Sequence, residues 1–171
     1  RRGADEDLVW QILRPAVEAG DTFCAPPEGG QQGGLAYFWP GTAQVWIAEQ
    51  GGKPMGCWYL RPNQTGNGAH VCNAGYCTAP EARGRGVARA MLAASLDEAV
   101  RQGYRGMQYN FVVATNTRAI ETWRRAGGNA ASHLSRHRVR WVTLEASQPA
   151  ECEPLAFIEG VAFAQYRFDR Y

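Results

Sequence analysis

The chain has 171 residues, 45% of them hydrophobic and 20% charged, with a formal net charge of +2. That length and balance suit one globular domain over 1–171 with a single core, and they exclude the charge density of a dedicated nucleic-acid binder. No apolar run reaches membrane-spanning length and no secretory signal is visible, so the expectation is no membrane partner and a cytoplasmic location.

From Asp5 to Ala19, residues Leu8, Val9, Ile12, Leu13 and Val17 recur at near-helical spacing and Gly20 closes the run. Pro15 predicts a kinked or two-piece helix. Residues 25 to 42 are rich in Gly, Pro and Gln and read as a loop carrying Tyr37, Phe38 and Trp39. Gln44 to Gln50 alternates as a strand, Gly51-Gly52 turns it, and Met55 to Leu60 returns, which predicts a hairpin. After a turn over Asn63 to Asn67 comes a strand from Ala69 to Thr78, in which Gly75 marks a bulge or a place where a ligand's backbone approaches. Val87 to Gln102 is a helix with an apolar stripe of Ala88, Leu92, Leu96, Ala99 and Val100, ended by Gly103. Met107 to Val113 reads as a buried strand, and Asn116 stands at the N-cap of a last helix that stops at Gly127. Two further strands are expected at Val139 to Leu144 and Val161 to Phe168.

The five cysteines, at 24, 57, 72, 77 and 152, lack C-x-x-C spacing and read as small buried hydrophobes, which excludes a zinc ribbon. His133 and His137 lie four apart without a suitable third ligand, so no metal site is expected. The arginines at 124, 125, 136, 138 and 140 form a loose run that reads as a solvated face.

Chemistry concentrates between the strand at 69–78 and the helix at 87–102. Arg83, Gly84, Arg85 and Gly86 make a basic Gly-rich turn, and Val87 and Ala88 open the helix. Glycines there let backbone N–H groups approach an anion, and the helix N-terminus adds partial positive charge. The competing reading is a plain strand-to-helix connection. No Lys-Ser/Thr follows the glycines, which excludes a P-loop, and the third glycine of a dinucleotide fingerprint is missing.

Arg83, Gly86 and Ala88 fit R-x-x-G-x-A, and in this the chain resembles the GNAT superfamily of acetyl-CoA-dependent N-acetyltransferases. Asn73-Ala74-Gly75-Tyr76, Met107 to Val113 and Asn116 are similar to the subgroup containing the proline-analogue (azetidine-2-carboxylate) acetyltransferases. The resemblance implies an α/β (α+β) fold with a mixed, mostly antiparallel central sheet flanked by helices, and a possible homodimer. It implies acetyl-CoA as co-substrate, a small-molecule amine as acceptor, and no metal. Tyr76, Cys77 and Thr78 would hold the pantetheine, with a backbone N–H near Cys77 as oxyanion donor. Arg83, Gly84, Arg85, Gly86, Val87 and Ala88 would take the pyrophosphate, and Asn116 and Trp123 would complete the cofactor site. Asn73 would position the acceptor, Asn110 would bind and orient it, and Asn110 and Asn116 would serve catalysis.

Asparagines on apolar strands are costly to bury without partners, which supports a ligand role for Asn73 and Asn110. The competing reading pairs both with backbone and leaves Asn116 as a cap alone. Trp123 occupies the place where many superfamily members put a tyrosine acid, leaving Tyr76, Tyr109 or water as the proton source, and His70, Glu49 or water as the base. Beyond Gly127 the chain departs from the subgroup's pattern. Two alternatives therefore stay open: a peptide or protein amine as acceptor, and a non-catalytic acetyl-CoA-binding domain.

Overall fold

The structure, a computed structural model, describes residues 2–23, 25, 27–113, 116–119, 121–122, 139–140 and 161–167. Helix α1 (Arg2–Ala19), a 3-10 turn (Pro27–Gly29) and helix α2 (Gly30–Phe38) come first. Strands β1 (Gln44–Gln50), β2 (Lys53–Pro62) and β3 (Val71–Thr78) are followed by helix α3 (Val87–Arg101), then β4 (Gly106–Val113), β5 (Val139–Arg140) and β6 (Val161–Arg167). The strands form one sheet in the order β1-β2-β3-β4-β6-β5, and every pair is antiparallel except β3 with β4. This is the mixed, mostly antiparallel sheet that the sequence leads one to expect.

Strand alternation divides the core in two. Val45, Ile47, Cys57, Tyr59 and Cys77 pack under α1 and α2 with Val9, Ile12, Leu13 and Phe38. Trp46, Trp58, Leu60, Cys72, Ala74, Met107 and Tyr109 pack on the other face, against Met91, Leu92, Leu96 and Ala99 of α3. Each fully buried Leu or Met on that helix contributes about 1.5–3 kcal/mol. The stripe is turned slightly from its expected position, because Met91 and Ser95 are buried while Val100 remains 41% exposed.

Four local expectations change. Pro15 lies inside a single helix rather than dividing it. It has no N–H for the Gln11 carbonyl, and the adjacent Ile12 carbonyl accepts the Cys77 thiol at 3.4 Å, so β3 supplies a donor where proline weakens the helix. The Gly-rich segment after α1 coils into α2 despite poor propensity, because tertiary packing requires it: a Cβ at Gly34 would lie 2.6 Å from the Trp10 ring. The hairpin turn at Gly51 and Gly52 is as expected, with φ of 60° and 74°, and β2 extends beyond the expected limits to Lys53 and Pro62. Gly75 lies in regular β2–β3 register with no bulge, facing Tyr59, and a Cβ there would be 2.4 Å from the Tyr59 ring. Its missing side chain makes room for a tyrosine rather than for a ligand.

Among the described residues no helix is long and apolar enough to cross a membrane, and no cluster of side chains could hold a metal ion. Cys57, Cys72 and Cys77 are buried and reduced, whereas Cys24, Cys152, His133, His137, Trp123 and most of the expected strand at 139–144 lie outside the described residues.

Candidate active site

The parallel β3–β4 ladder is short: Val71 pairs with Gly106, Cys72 with Met107 and Asn73 with Gln108, and there it ends. Beyond that point β3 stays paired with β2 as far as Thr78, while β4 follows β6 and shifts register between Tyr109 and Val112. Two residues of β4, Asn110 and Phe111, there oppose one of β6, and such a bulge bends its strand and re-aims a side chain. The result is a wedge-shaped gap between β3 and β4.

Which groups face the gap follows from hydrogen-bond alternation. Asn63 N–H donates to the Val71 carbonyl at 2.8 Å and Ala79 N–H to the Met55 carbonyl at 2.9 Å, so odd-numbered residues of β3 turn their polar groups toward β2. Tyr76 and Thr78 therefore direct their N–H groups toward the side where β4 departs. Cys77 does the reverse. Its N–H is turned to β2 and its thiol lies under α1, so an oxyanion donor in this stretch would come from Tyr76 or Thr78.

At the open end the chain turns through a 3-10 turn (Pro80–Ala82) into α3. Gly84 and Gly86 have φ of 76° and 79°, the left-handed region that glycine enters without a Cβ penalty. Gly86 is also the N-cap of α3 and brings no side-chain cap with it. The first intrahelical bond runs from Ala90 N–H to the Gly86 carbonyl at 3.0 Å, so the N–H groups of Val87, Ala88 and Arg89 point out of the helix end. No acidic residue stands in the first turn, and Arg83, Arg85 and Arg89 surround it. Such an end attracts anions. Arg85 is held by a 2.7 Å hydrogen bond from Nη2 to Gln50 Oε1.

A cleft of about 1270 Å³ joins these parts. Tyr76, Cys77, Thr78, the whole run from Arg83 to Ala88, and Asn116 line it, together with Ile12, Pro15 and Ala16 of α1. Asn116 also caps its own helical turn, Oδ1 accepting the Ala119 N–H at 3.2 Å. Asn73 and Asn110 are not in the lining. Asn73 is buried with two partners inside the sheet, Oδ1 accepting the Tyr59 hydroxyl and Nδ2 donating to the Gln108 carbonyl, each at 2.8 Å. Asn110 is half-buried in the β4 bulge, and its carboxamide has no hydrogen-bond partner among the described residues.

Titratable groups narrow the chemistry. Burial pushes the Cys77 thiol up to about 12 despite the Arg83 charge, so at neutral pH it is protonated and no nucleophile. The Tyr76 hydroxyl is 2.6 Å from Ser95 Oγ and 2.9 Å from the Tyr109 hydroxyl. Ser95 gives its proton to the Leu92 carbonyl at 2.7 Å, so Tyr76 donates to Ser95 and its proton points into the α3 core. His70 and Glu49 are exposed and neither lines the cleft. One residue to which the sequence assigned no role is Arg61. It is half-buried with its guanidinium 5.2 Å from the centre of the Tyr59 ring, and among the described residues it has no carboxylate partner. Only its pairing opposite Asn73 betrays it, and that register is not visible in sequence.

The family model of the acetyltransferase (GNAT) family matches residues 9–128. Over 71 residues the chain is 37% identical to N-acetyltransferase aca1 of Schizosaccharomyces pombe, a match covering 42% of this chain and 34% of that protein. The matched stretch thus spans about a third of the relative's length. A GCN5-related N-acetyltransferase from Kribbella flavida superposes with a TM-score of 0.75 at 29% identity, covering 97% of this chain and 94% of that one. A phosphinothricin acetyltransferase from Sinorhizobium meliloti, in complex with acetyl-CoA, shares the fold with a TM-score of 0.66 at 18% identity, covering 96% and 84%.

Proposed function

The chain belongs to the acetyltransferase (GNAT) family, and from that premise we propose that it acetylates the amine of a small amino or imino acid, in the manner of the proline-analogue acetyltransferases. The observation that carries the reading is a cleft that joins the end of β3, the glycine turn at the α3 N-terminus and Asn116. Acetyl-CoA, when bound, supplies the activated acetyl group as a thioester.

The residues present fit such a ligand. The outward N–H groups of Val87, Ala88 and Arg89, with Arg83 and Arg85 alongside, would hold the pyrophosphate, with Gly84 and Gly86 giving the turn its shape. Thr78 and Tyr76 would offer N–H groups along the gap, in the manner of donors that strengthen as negative charge develops on a carbonyl oxygen. Asn116 would contribute its Nδ2 at the cleft while its Oδ1 caps the helix. Because the Cys77 thiol is neutral and turned into the core, the reading is direct attack by the amine rather than passage through an acyl-cysteine.

For the acceptor, Asn110 is the residue we assign to binding and orientation, since its half-buried carboxamide stands at the bulge with no hydrogen-bond partner among the described residues. Arg61 supports a carboxylate on the acceptor, being a half-buried cation with no acidic partner among the described residues. The test is acetyl-CoA-dependent thiol release with azetidine-2-carboxylate, proline and pyrrolidine, corrected by a no-acceptor control for the protein's own cysteines. We expect release with the two imino acids and far less with pyrrolidine, which lacks the carboxylate. Asn110→Ala should lower turnover by about 100-fold, the scale of losing one oriented polar contact to reacting groups, with acetyl-CoA affinity unchanged. Equal release with pyrrolidine would remove Arg61 and the carboxylate from the reading.

A further inference from the structure

A buried polar chain crosses three strands where the sheet begins to open. Gln108 presents a carbonyl, which only accepts, so the Asn73 nitrogen must face it and Asn73 Oδ1 is left for the Tyr59 hydroxyl, which donates. The orientation of the carboxamide is thereby fixed from both sides. Asn73 is 3% exposed and Tyr59 6%. Asn73 and Gln108 are also the last pair of the β3–β4 ladder, so the chain sits at the vertex of the gap.

The ring that carries the hydroxyl is itself confined. It lies across Gly75, its partner in register, where a Cβ would be 2.8 Å from Cζ. Phe38 packs on the ring at 88°, with ring centres 5.0 Å apart, and the Arg61 guanidinium lies over it at 5.2 Å. A tyrosine held this tightly delivers its hydroxyl to one place.

We propose that Tyr59 is a positioning residue, which acts through Asn73 to fix where β3 and β4 part, and so the width of the gap toward which Tyr76 and Thr78 direct their N–H groups. Asn73 in this role is a strut between strands and not a ligand of the acceptor. Gly75 belongs to the same device, as the cut-out that lets the ring lie flat. The catalytic consequence rests on the acetyltransferase reading, whereas the strut can be observed without it.

The test compares Tyr59→Phe, Gly75→Ala and their combination in the full chain. Tyr59→Phe keeps the ring and removes the hydroxyl, which donates to Asn73 and also meets the Arg61 guanidinium; Gly75→Ala keeps the hydroxyl and displaces the ring. We expect each to raise the acetyl-CoA dissociation constant about tenfold and to speed amide exchange at Ala74, beside the last rung of the β3–β4 ladder, by a similar factor, the scale of one buried hydrogen bond. The combination should be no worse than the stronger single variant, since both break one interaction. A Tyr59→Phe protein with a lowered melting temperature but unchanged acetyl-CoA affinity and unchanged exchange would make Tyr59 a packing residue and overturn the proposal. If Gly75→Ala does not fold, Tyr59→Phe decides alone. Should the unaltered protein turn over no imino acid while these shifts appear as expected, the strut stands and the acceptor reading fails.

Discussion

Gly86→Val is expected to weaken acetyl-CoA binding by about 100-fold, equivalent to about 2.7 kcal/mol, or one to two charge-assisted hydrogen bonds. Gly86 has φ of 79° and caps α3 with its backbone alone. A β-branched residue resists that conformation at a cost of roughly 1–3 kcal/mol, and the turn relieves it by moving toward negative φ. Doing so rotates the N–H groups of Val87 and Ala88 away from the cleft that they line. A strain control is built into the molecule. Gly52 has φ of 74° in the β1–β2 turn, with open space around it as at Gly86, and it is not part of the cleft. Gly52→Val should therefore lose comparable stability and retain acetyl-CoA binding. Isothermal titration on both variants reads the difference, and equal affinity losses would show that the cradle has no special role. Arg83→Ala, which removes an exposed charge and no backbone geometry, should weaken binding less than Gly86→Val and do so most at low salt.

The parts of the site that could be read from sequence are those whose cause is local. Gly84 and Gly86 announce a left-handed turn because only glycine enters it cheaply, and Asn116 announces a cap because its own carboxamide reaches three residues ahead. The hairpin at Gly51-Gly52 is legible for the same reason. What was not legible depends on partners distant in the chain. Gly75 looks like a bulge until Tyr59, sixteen positions earlier, is seen lying across it, and the partners of the buried Asn73 cannot be named until Gln108, thirty-five positions later, is seen accepting a hydrogen bond from its amide. Segment 30–38 looks like a loop because its glycines are poor helix formers, and only the Trp10 ring against Gly34 explains why it coils. The bulge at Asn110 arises from pairing with β6, a strand more than fifty residues downstream, so no local pattern signals it. Trp123 and the segment that departs from the subgroup's pattern beyond Gly127 lie outside the described residues.

Alkaline pH should destabilise this protein before Cys57, Cys72 or Cys77 reacts in the native state. Burial raises the Cys72 and Cys77 thiols from 9.0 to about 12, and it raises Cys57 well above its ordinary value, with the neighbouring Cys77 adding to the effect. Tyr59 is likewise pushed by burial from 10.0 to about 12. The native state thus keeps protons that the unfolded chain releases above pH 9. Stability is full below that value and falls as pH rises through the window from about 9 to 12, by about 1.4 kcal/mol per unit for each thiol. Because Cys57, Cys72, Cys77 and Tyr59 are all shifted in the same direction by burial, their contributions to the alkaline loss add. Urea unfolding at steps from pH 7 to 11 should show a flat midpoint up to pH 8 and a steep decline beyond 9. Cys72→Ala should flatten the decline by one thiol's share, since the slope counts protons and not contacts. At pH 8 a thiol reagent should leave Cys57, Cys72 and Cys77 unmodified until denaturant is added, as located by peptide mass. A midpoint that holds level to pH 11, or prompt native-state labelling of Cys77, would mean that water reaches the floor beneath the cleft and that the thiol there is available to chemistry.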